Sequence, residues 1–406
     1  MASAPAGTGF LGGAPPAVMV TGPARSGRGG VPWYLWVGVV AVTSASIGGS
    51  WDVSWHRSIG RDTFWTPAHM AIYLCGVLAG IVGMVLVTRA TFGRSAGAAE
   101  LRSESVTMFG LRAPLGVFLA GWGGVAMLTS APFDNWWHNA YGLDVKIVSP
   151  PHTLLIFGIR AVSLGMMFLI LAAMNRAANS DASVFPLLQK LFLYLGGIAV
   201  VGQMFFVQEY TWDIVLHQGS AYVALAIAVP VVLAVLWQAS RYKWAATVCC
   251  AIYMVFVIGE ILIFPLFPAQ PKLGPVYFPV THLVPAKFPV LLLPSAFALD
   301  LLWQRTKSWK LWQIAIVSGI VFMLILAPIE WNFANFLLSH HADNRFFGSA
   351  YFDYTARPGG YERARRFFKP MWGEHLAISI TLATVYAMIS SWLGLAFGRW
   401  MRGVQR

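Results

Sequence analysis

Charge is scarce in this chain: 11% of its 406 residues are Asp, Glu, Lys or Arg, and 16 acidic residues face 28 basic ones. So low a charged fraction, with 57% apolar residues and a mean hydropathy of +0.64, excludes an ordinary soluble or disordered protein. Cysteine is also nearly absent. Cys75, Cys249 and Cys250 fall inside apolar stretches with no zinc-like or redox spacing, which argues against a disulfide framework. No small-residue cleavage site follows the first apolar run, so a cleavable signal peptide is not expected.

What the chain has in quantity is apolar sequence of membrane-spanning length. Runs near 33–53, 69–89, 112–132, 152–174, 186–207, 219–239, 244–265, 282–304, 311–332 and 372–396 predict an all-α, polytopic transmembrane bundle of about ten spans. Arg89, Arg94, Arg102 and Arg112, then Arg176 and Lys190, Arg241 and Lys243, and Arg305, Lys307 and Lys310 fall in alternate connections. That side is expected to be cytoplasmic, with both termini on it, in a bacterial inner membrane. The +12 formal charge follows from this orientation and calls for no nucleic acid.

Along the chain, residues 1–31 read as a disordered cytoplasmic tail, 32–175 as a four-span region and 176–332 as further spans. Residues 333–371 read as an extracytoplasmic loop able to dock a partner, and 372–406 as the last span with a basic tail. On this topology His56, His69, His138, His152, His217, His282, His340, His341 and His375 all lie at outward ends of helices or in outward loops. Trp and Tyr have a default place at membrane interfaces and histidine has none. Its one-sidedness points to chemistry at the outer face.

Two segments repeat one pattern. Asp52 precedes His56 by four residues and His69 follows thirteen later; Asp134 precedes His138 by four and His152 follows fourteen later. An i, i+4 step stacks both side chains on one helix face. Thr66-Pro67-Ala68-His69 and Ser149-Pro150-Pro151-His152 each open the next helix, where proline fits the first turn. Each hairpin is thus expected to close an Asp-His-His triad around one ion. Imidazole with carboxylate suits copper, zinc or iron and leaves coordination positions open. Asp62 and Asp144, each six residues after the first histidine of its triad, are expected to orient a ligand imidazole from outside the ligand set. Arg57 and Arg61 would pair with Asp62.

The string from Trp55 through His56-Arg57-Ser58-Ile59-Gly60-Arg61-Asp62 to Thr66-Pro67-Ala68-His69 resembles the metal-site segment in the C subunit of the copper-containing membrane monooxygenases, the family of particulate methane and ammonia monooxygenases. The resemblance covers roughly residues 33–175. It implies copper, one or two ions, on Asp52, His56 and His69, with dioxygen activated there. It also implies partner subunits of the A and B types in an oligomer, and a small apolar substrate or ammonia. The second set, Asp134, His138 and His152, matches the family's Asn, His, His spacing except that Asp replaces Asn. A carboxylate there binds a cation more tightly. The chain is longer than a usual C subunit, with one span before the first motif and six later spans that have no counterpart.

Fainter signals lie further on. Asp213 and His217 repeat the four-residue step, and His282 follows a Pro-Val-Thr run, so a third site from Asp213, His217 and His282 is an open expectation. Arg160, Glu260 and Lys287 are ionisable groups at membrane depth, expected to pair with one another, with Glu260 alternatively on a proton or product path. Glu330, Asn335, His340, His341, Asp343, Glu374 and His375 form a further outward set. The rival to an oxygenase subunit is a non-catalytic membrane copper-binding protein for acquisition or delivery. The 15 methionines form no outward thioether cluster of the kind copper carriers favour.

Overall fold

The computed structural model describes residues 30–60, 62–142, 148–180, 183–210, 216–272, 280–348 and 370–405. Eleven α-helices account for most of them: α1 Trp33–Ser58, α2 Pro67–Phe92, α3 Ala96–Ser103, α4 Leu115–Tyr141, α5 Pro150–Ser180, α6 Phe185–Tyr210, α7 Gly219–Ser240, α8 Ala245–Ile263, α9 Leu293–Arg305, α10 Leu311–Leu337 and α11 Gly373–Met401. By length and composition, α2, α4, α5, α6, α7, α8, α10 and α11 can cross a membrane. The chain is a membrane-embedded helical bundle. A small hairpin, β1 Val106–Met108 and β2 Leu111–Ala113, joins α3 to α4 through Phe109 and Gly110, both at positive φ.

Helix pairing follows the chain closely. α1 packs on α2, α2 on α4 and α4 on α5, while α7 and α10 both pack on α11. α6 joins the two groups, touching α1 and α5 on one side and α7 and α8 on the other. In a bilayer, small residues let helix backbones approach, because lipid tails compete equally for large apolar side chains. The α4–α5 pair shows this directly. A methyl group placed on Gly123 would lie 2.7 Å from the Gly158 carbonyl oxygen, and one on Gly165 would lie 2.6 Å from that of Gly116. These contacts set how closely the end of α4 meets the start of α5.

Two of the ten expected spans are not among these eight: α1, a continuous 26-residue helix, and the stretch 282–304. Residues 282–304 do not form a continuous helix: 283–292 run as buried extended chain, and only Leu293–Arg305 is helical. Thirteen residues rise about 20 Å, short of a hydrocarbon core of about 30 Å. Pro285, Pro289 and Pro294 explain the break, since each lacks an N–H and disfavours helix at the residue before it. Extended backbone at membrane depth survives only where protein satisfies its polar groups. Here neighbouring side chains do so. Ser58 Oγ accepts from Val284 N at 2.7 Å, and Ser54 Oγ donates to the Val284 carbonyl. Tyr253 Oη accepts from Val290 N at 3.0 Å and Glu330 from Leu291 N at 2.5 Å. Gln208 Nε2 donates to the Phe288 carbonyl at 3.4 Å.

The strand leading into this segment clips onto the end of α1. Leu283 N donates to the Phe267 carbonyl at 3.0 Å, and Lys272 N to the Ile59 carbonyl at 2.8 Å. Ile59, Phe264, Ala269 and Leu283 form a small apolar cluster with Trp51 and Trp55 against it. The later half of the chain therefore braces the helix end that carries Asp52 and His56.

At the opposite end of α5, Arg176 pairs with Glu104 at 2.9 Å and donates to the Gln405 carbonyl. This ties the last helix to the basic end of the bundle. Substituting Gly158 with Leu should force α4 and α5 apart, at a cost of about 1–3 kcal/mol. A lowered unfolding midpoint in a detergent thermal-shift series checks this, with Gly80→Leu, whose added atoms meet open space, unchanged.

Candidate metal centres

The α1–α2 hairpin is built by short local bonds. α1 stays helical through Asp52 and His56 to Ser58, and Gly60, at φ +86°, turns the chain out of the helix. Thr66 Oγ1 accepts from Thr63 N at 2.8 Å, Pro67 begins α2, and His69 stands in its first turn. The second hairpin runs the same way: α4 carries Asp134 and His138 in its last two turns, Gly142 leaves it at φ +89°, and His152 lies in the first turn of α5.

The second triad, Asp134, His138 and His152, draws together as a group, whereas at the first hairpin the group is Asp52, Asp62 and His69, with His56 standing to one side. Asp52 places Oδ2 3.8 Å from His56 Nε2 and Oδ1 3.1 Å from His69 Nε2. Asp134 places Oδ2 3.3 Å from His138 Nε2 and Oδ1 3.3 Å from His152 Nε2. In both copies one carboxylate oxygen meets the i+4 histidine and the other meets the histidine that opens the next helix. Two ligands each about 2.0–2.1 Å from one ion at a tetrahedral angle stand roughly 3.3 Å apart. The separations of 3.1, 3.3 and 3.3 Å match that edge, while His56 at 3.8 Å from Asp52 stands wider.

The ring tautomers decide what belongs between them. His69 Nδ1 lies 2.9 Å from the Thr63 carbonyl oxygen, which can only accept, so Nδ1 carries a hydrogen. His138 Nδ1 faces the Gly142 carbonyl at 3.3 Å in the same way. Were each ring neutral, its Nε2 would be a lone pair aimed at carboxylate oxygen. Asp52 Oδ1 and Asp134 Oδ1 are buried and make no hydrogen bond. Lone pairs facing orphaned anionic oxygens require a positive charge between them, either a second ring proton or a cation. The donor set fits a divalent metal ion.

Asp62 stands closer than expected. Its Oδ2 lies 3.3 Å from His56 Nε2 and 3.2 Å from His69 Nε2, so it faces the same point as the triad. Asp52, Asp62 and His69 group as potential ligands of one ion, as do Asp134, His138 and His152. Among the described residues Asp62 meets the two histidines, and Arg57 lines an internal cavity. Burial pushes the Asp62 carboxyl up, but its hydrogen bonds to His56 and His69 and their charges outweigh this and hold it below the ordinary range. The Asp62 hydrogen bond is the main cause raising His56 above the usual histidine value, against the opposing effect of burial. His69 and Asp62 are shielded, at 14% and 12% side-chain exposure, whereas His56 at 46% forms the open side. Tyr73 on α2 stacks near His69 and feels Asp52, Asp62 and Asp134 electrostatically, so the two clusters are neighbours at one end of the bundle.

Of the other expected site residues, the structure places only some. Asp144 and Asp213 lie outside the described residues, as does Arg61. His217 is buried and bonded to Asn335 at 2.8 Å, and His282 bonds Thr281 Oγ1 at 2.8 Å beside Pro268. Among the described residues only the two groups above bring three ligand atoms together. Glu330 does not join an outer His340–His341 set, because it turns inward to the extended segment. The expected mutual pairing at membrane depth is also replaced: Arg160 donates to the Gly202 carbonyl at 2.6 Å and covers the Phe206 ring, while Lys287 donates to the Gln208 carbonyl. No family model, curated protein sequence or solved structure matches the chain.

His69 lies 3.1 Å from Asp52 and 3.2 Å from Asp62 and groups with both, whereas His56 does not, so His69→Ala should weaken metal binding at the first cluster beyond the 10–100-fold typical of losing an outer partner. His56→Ala should weaken it less. Metal-to-protein ratios of purified protein, titrated against a chelator, separate the two variants. Because Asp62 holds the His56 proton, metal uptake releases protons and weakens as pH falls, beginning above the ordinary histidine range. Proton release during metal titration at two pH values checks the sign.

Proposed function

We propose that this chain is a copper-binding subunit of a membrane monooxygenase-like complex that hydroxylates methane, ammonia or a short hydrocarbon. The observation that carries this reading is the duplicated Asp-His-His geometry on the hairpins whose sequence resembles the C subunit of that family. Copper, when bound, would supply one-electron chemistry and a coordination position for dioxygen. The first cluster, Asp52, His56 and His69, is the proposed reaction centre, with Asp62 as a fourth donor.

The protein's own residues do the rest. The two carboxylates balance the charge of a divalent ion, so the site is neutral when loaded. The Thr63 carbonyl fixes His69 with Nε2 toward the ion. The more open His56 side is the face through which dioxygen and substrate reach the centre. The second cluster, with one described carboxylate, is a further copper position. In this reading the clusters face the periplasmic side of a bacterial cytoplasmic membrane. Subunits of the A and B types complete the complex.

The same openness at His56 favours a second reading, a carrier that exchanges its ion without oxygen chemistry. Membranes carrying wild type or His69→Ala, assayed for oxygen-dependent hydroxylation of methane, ammonia, propane and butane, distinguish the two. The oxygenase reading expects activity that falls with metal content in the variant. Metal content that depends on His69, with no hydroxylation of any of these substrates above membranes lacking the protein, would leave the carrier.

A further inference from the structure

Behind the first cluster, on a neighbouring face of α1, lies a cavity of about 40 Å³ enclosed by α1, α6, α8 and the extended 283–292 segment. Its wall includes Ser50, Arg57, Gln208, Glu260 and Lys287. One water needs roughly 10–15 Å³ of such space and two to four polar partners, so the cavity accommodates a few waters.

Glu260 on α8 is 7% exposed, and its Oε1 is buried with no hydrogen-bond partner. Asp300 is a fully engaged carboxylate, accepting from Ala246 N, Thr247 N and Thr247 Oγ1, whereas Glu260 Oε1, like Glu330 Oε2, has no partner. Glu260, hydrogen-bonded to Ser50, lines this mainly apolar cavity with Oε1 unsatisfied, in a setting where an ionisable group is costly unless it has work to do. The charged and titratable groups that share the cavity are Arg57 from α1, Lys287 from the extended segment and Tyr253 from α8, while α6 contributes the neutral Gln208.

We propose that Glu260 is a proton-exchange site served by water in this cavity. The carboxylic acid gives its proton to a cavity water, leaving carboxylate and hydronium, and takes it back by the reverse step. Arg57 and Lys287 stand in the wall of the same space. The extended segment makes the site possible, because a continuous helix there would seal its backbone into itself and fill the volume. This proton site requires neither a metal ion nor dioxygen, so it stands or falls separately from the oxygenase reading.

Infrared spectroscopy of the full-length protein in lipid nanodiscs tests it. Wild type minus Glu260→Gln should show the C=O stretch of a protonated carboxyl that disappears on raising the pH and shifts promptly in D₂O. Val257→Phe, which fills the cavity from α8, should slow that shift severalfold while metal content is unchanged. Glu260→Asp restores a titrating band and serves if the Gln variant fails to fold. The proposal is overturned by the absence of any Glu260-dependent carboxyl band between acid and alkaline pH. A band that shifts in D₂O only after unfolding, or equally fast with the cavity filled, overturns it too.

Discussion

A neutral imidazole whose lone pair points at carboxylate oxygen is an unstable arrangement without positive charge between the two, and both hairpins are organised around that demand. The Thr63 and Gly142 carbonyls fix which ring nitrogen carries hydrogen. The helix ends fix where the other nitrogen points. Close glycine contacts between α4 and α5 then bring one helix's last turn against the next helix's first. Removing any of these layers would leave acidic and imidazole side chains that merely cap helix ends and face water.

The two clusters are not equal. In the first, a second carboxylate from the loop, Asp62, faces the same point as Asp52 and His69, and contacts from residues 264–284 brace the end of α1. Asp62 and Asp52 together match the charge of a divalent ion, which favours retention, while the exposed ring of His56 keeps one side open to solvent. The spans after residue 175 therefore belong to the same machine as the hairpins. They support the first cluster and enclose a cavity behind it.

The buried extended segment shows how a membrane protein tolerates broken helix. Five neighbouring residues, Ser54, Ser58, Gln208, Tyr253 and Glu330, supply hydrogen bonds that a continuous helix would have made internally. Such an exchange costs packing simplicity and gains polar groups at membrane depth. That is the setting in which Glu260 keeps an unsatisfied oxygen beside room for water.

Much was legible in the residues alone. The apolar runs announce helices because burial in lipid leaves the chain no other satisfied backbone, and the i, i+4 Asp–His steps place ligands on one face through helix periodicity. The prolines at 285, 289 and 294 also announced the broken span, but hydropathy averages over them and reads one continuous run. Local periodicity could not say that Asp62 turns toward both Nε2 atoms, because a loop carboxylate's direction depends on how two helices dock. Nor could it show that His217 and Glu330 are taken up by Asn335 and the Leu291 amide. The sequence alone determined most of the helices and the candidate ligand types; the tertiary structure decided which polar groups share a space, since partners such as His217 and Asn335, 118 residues apart, meet only when the bundle closes.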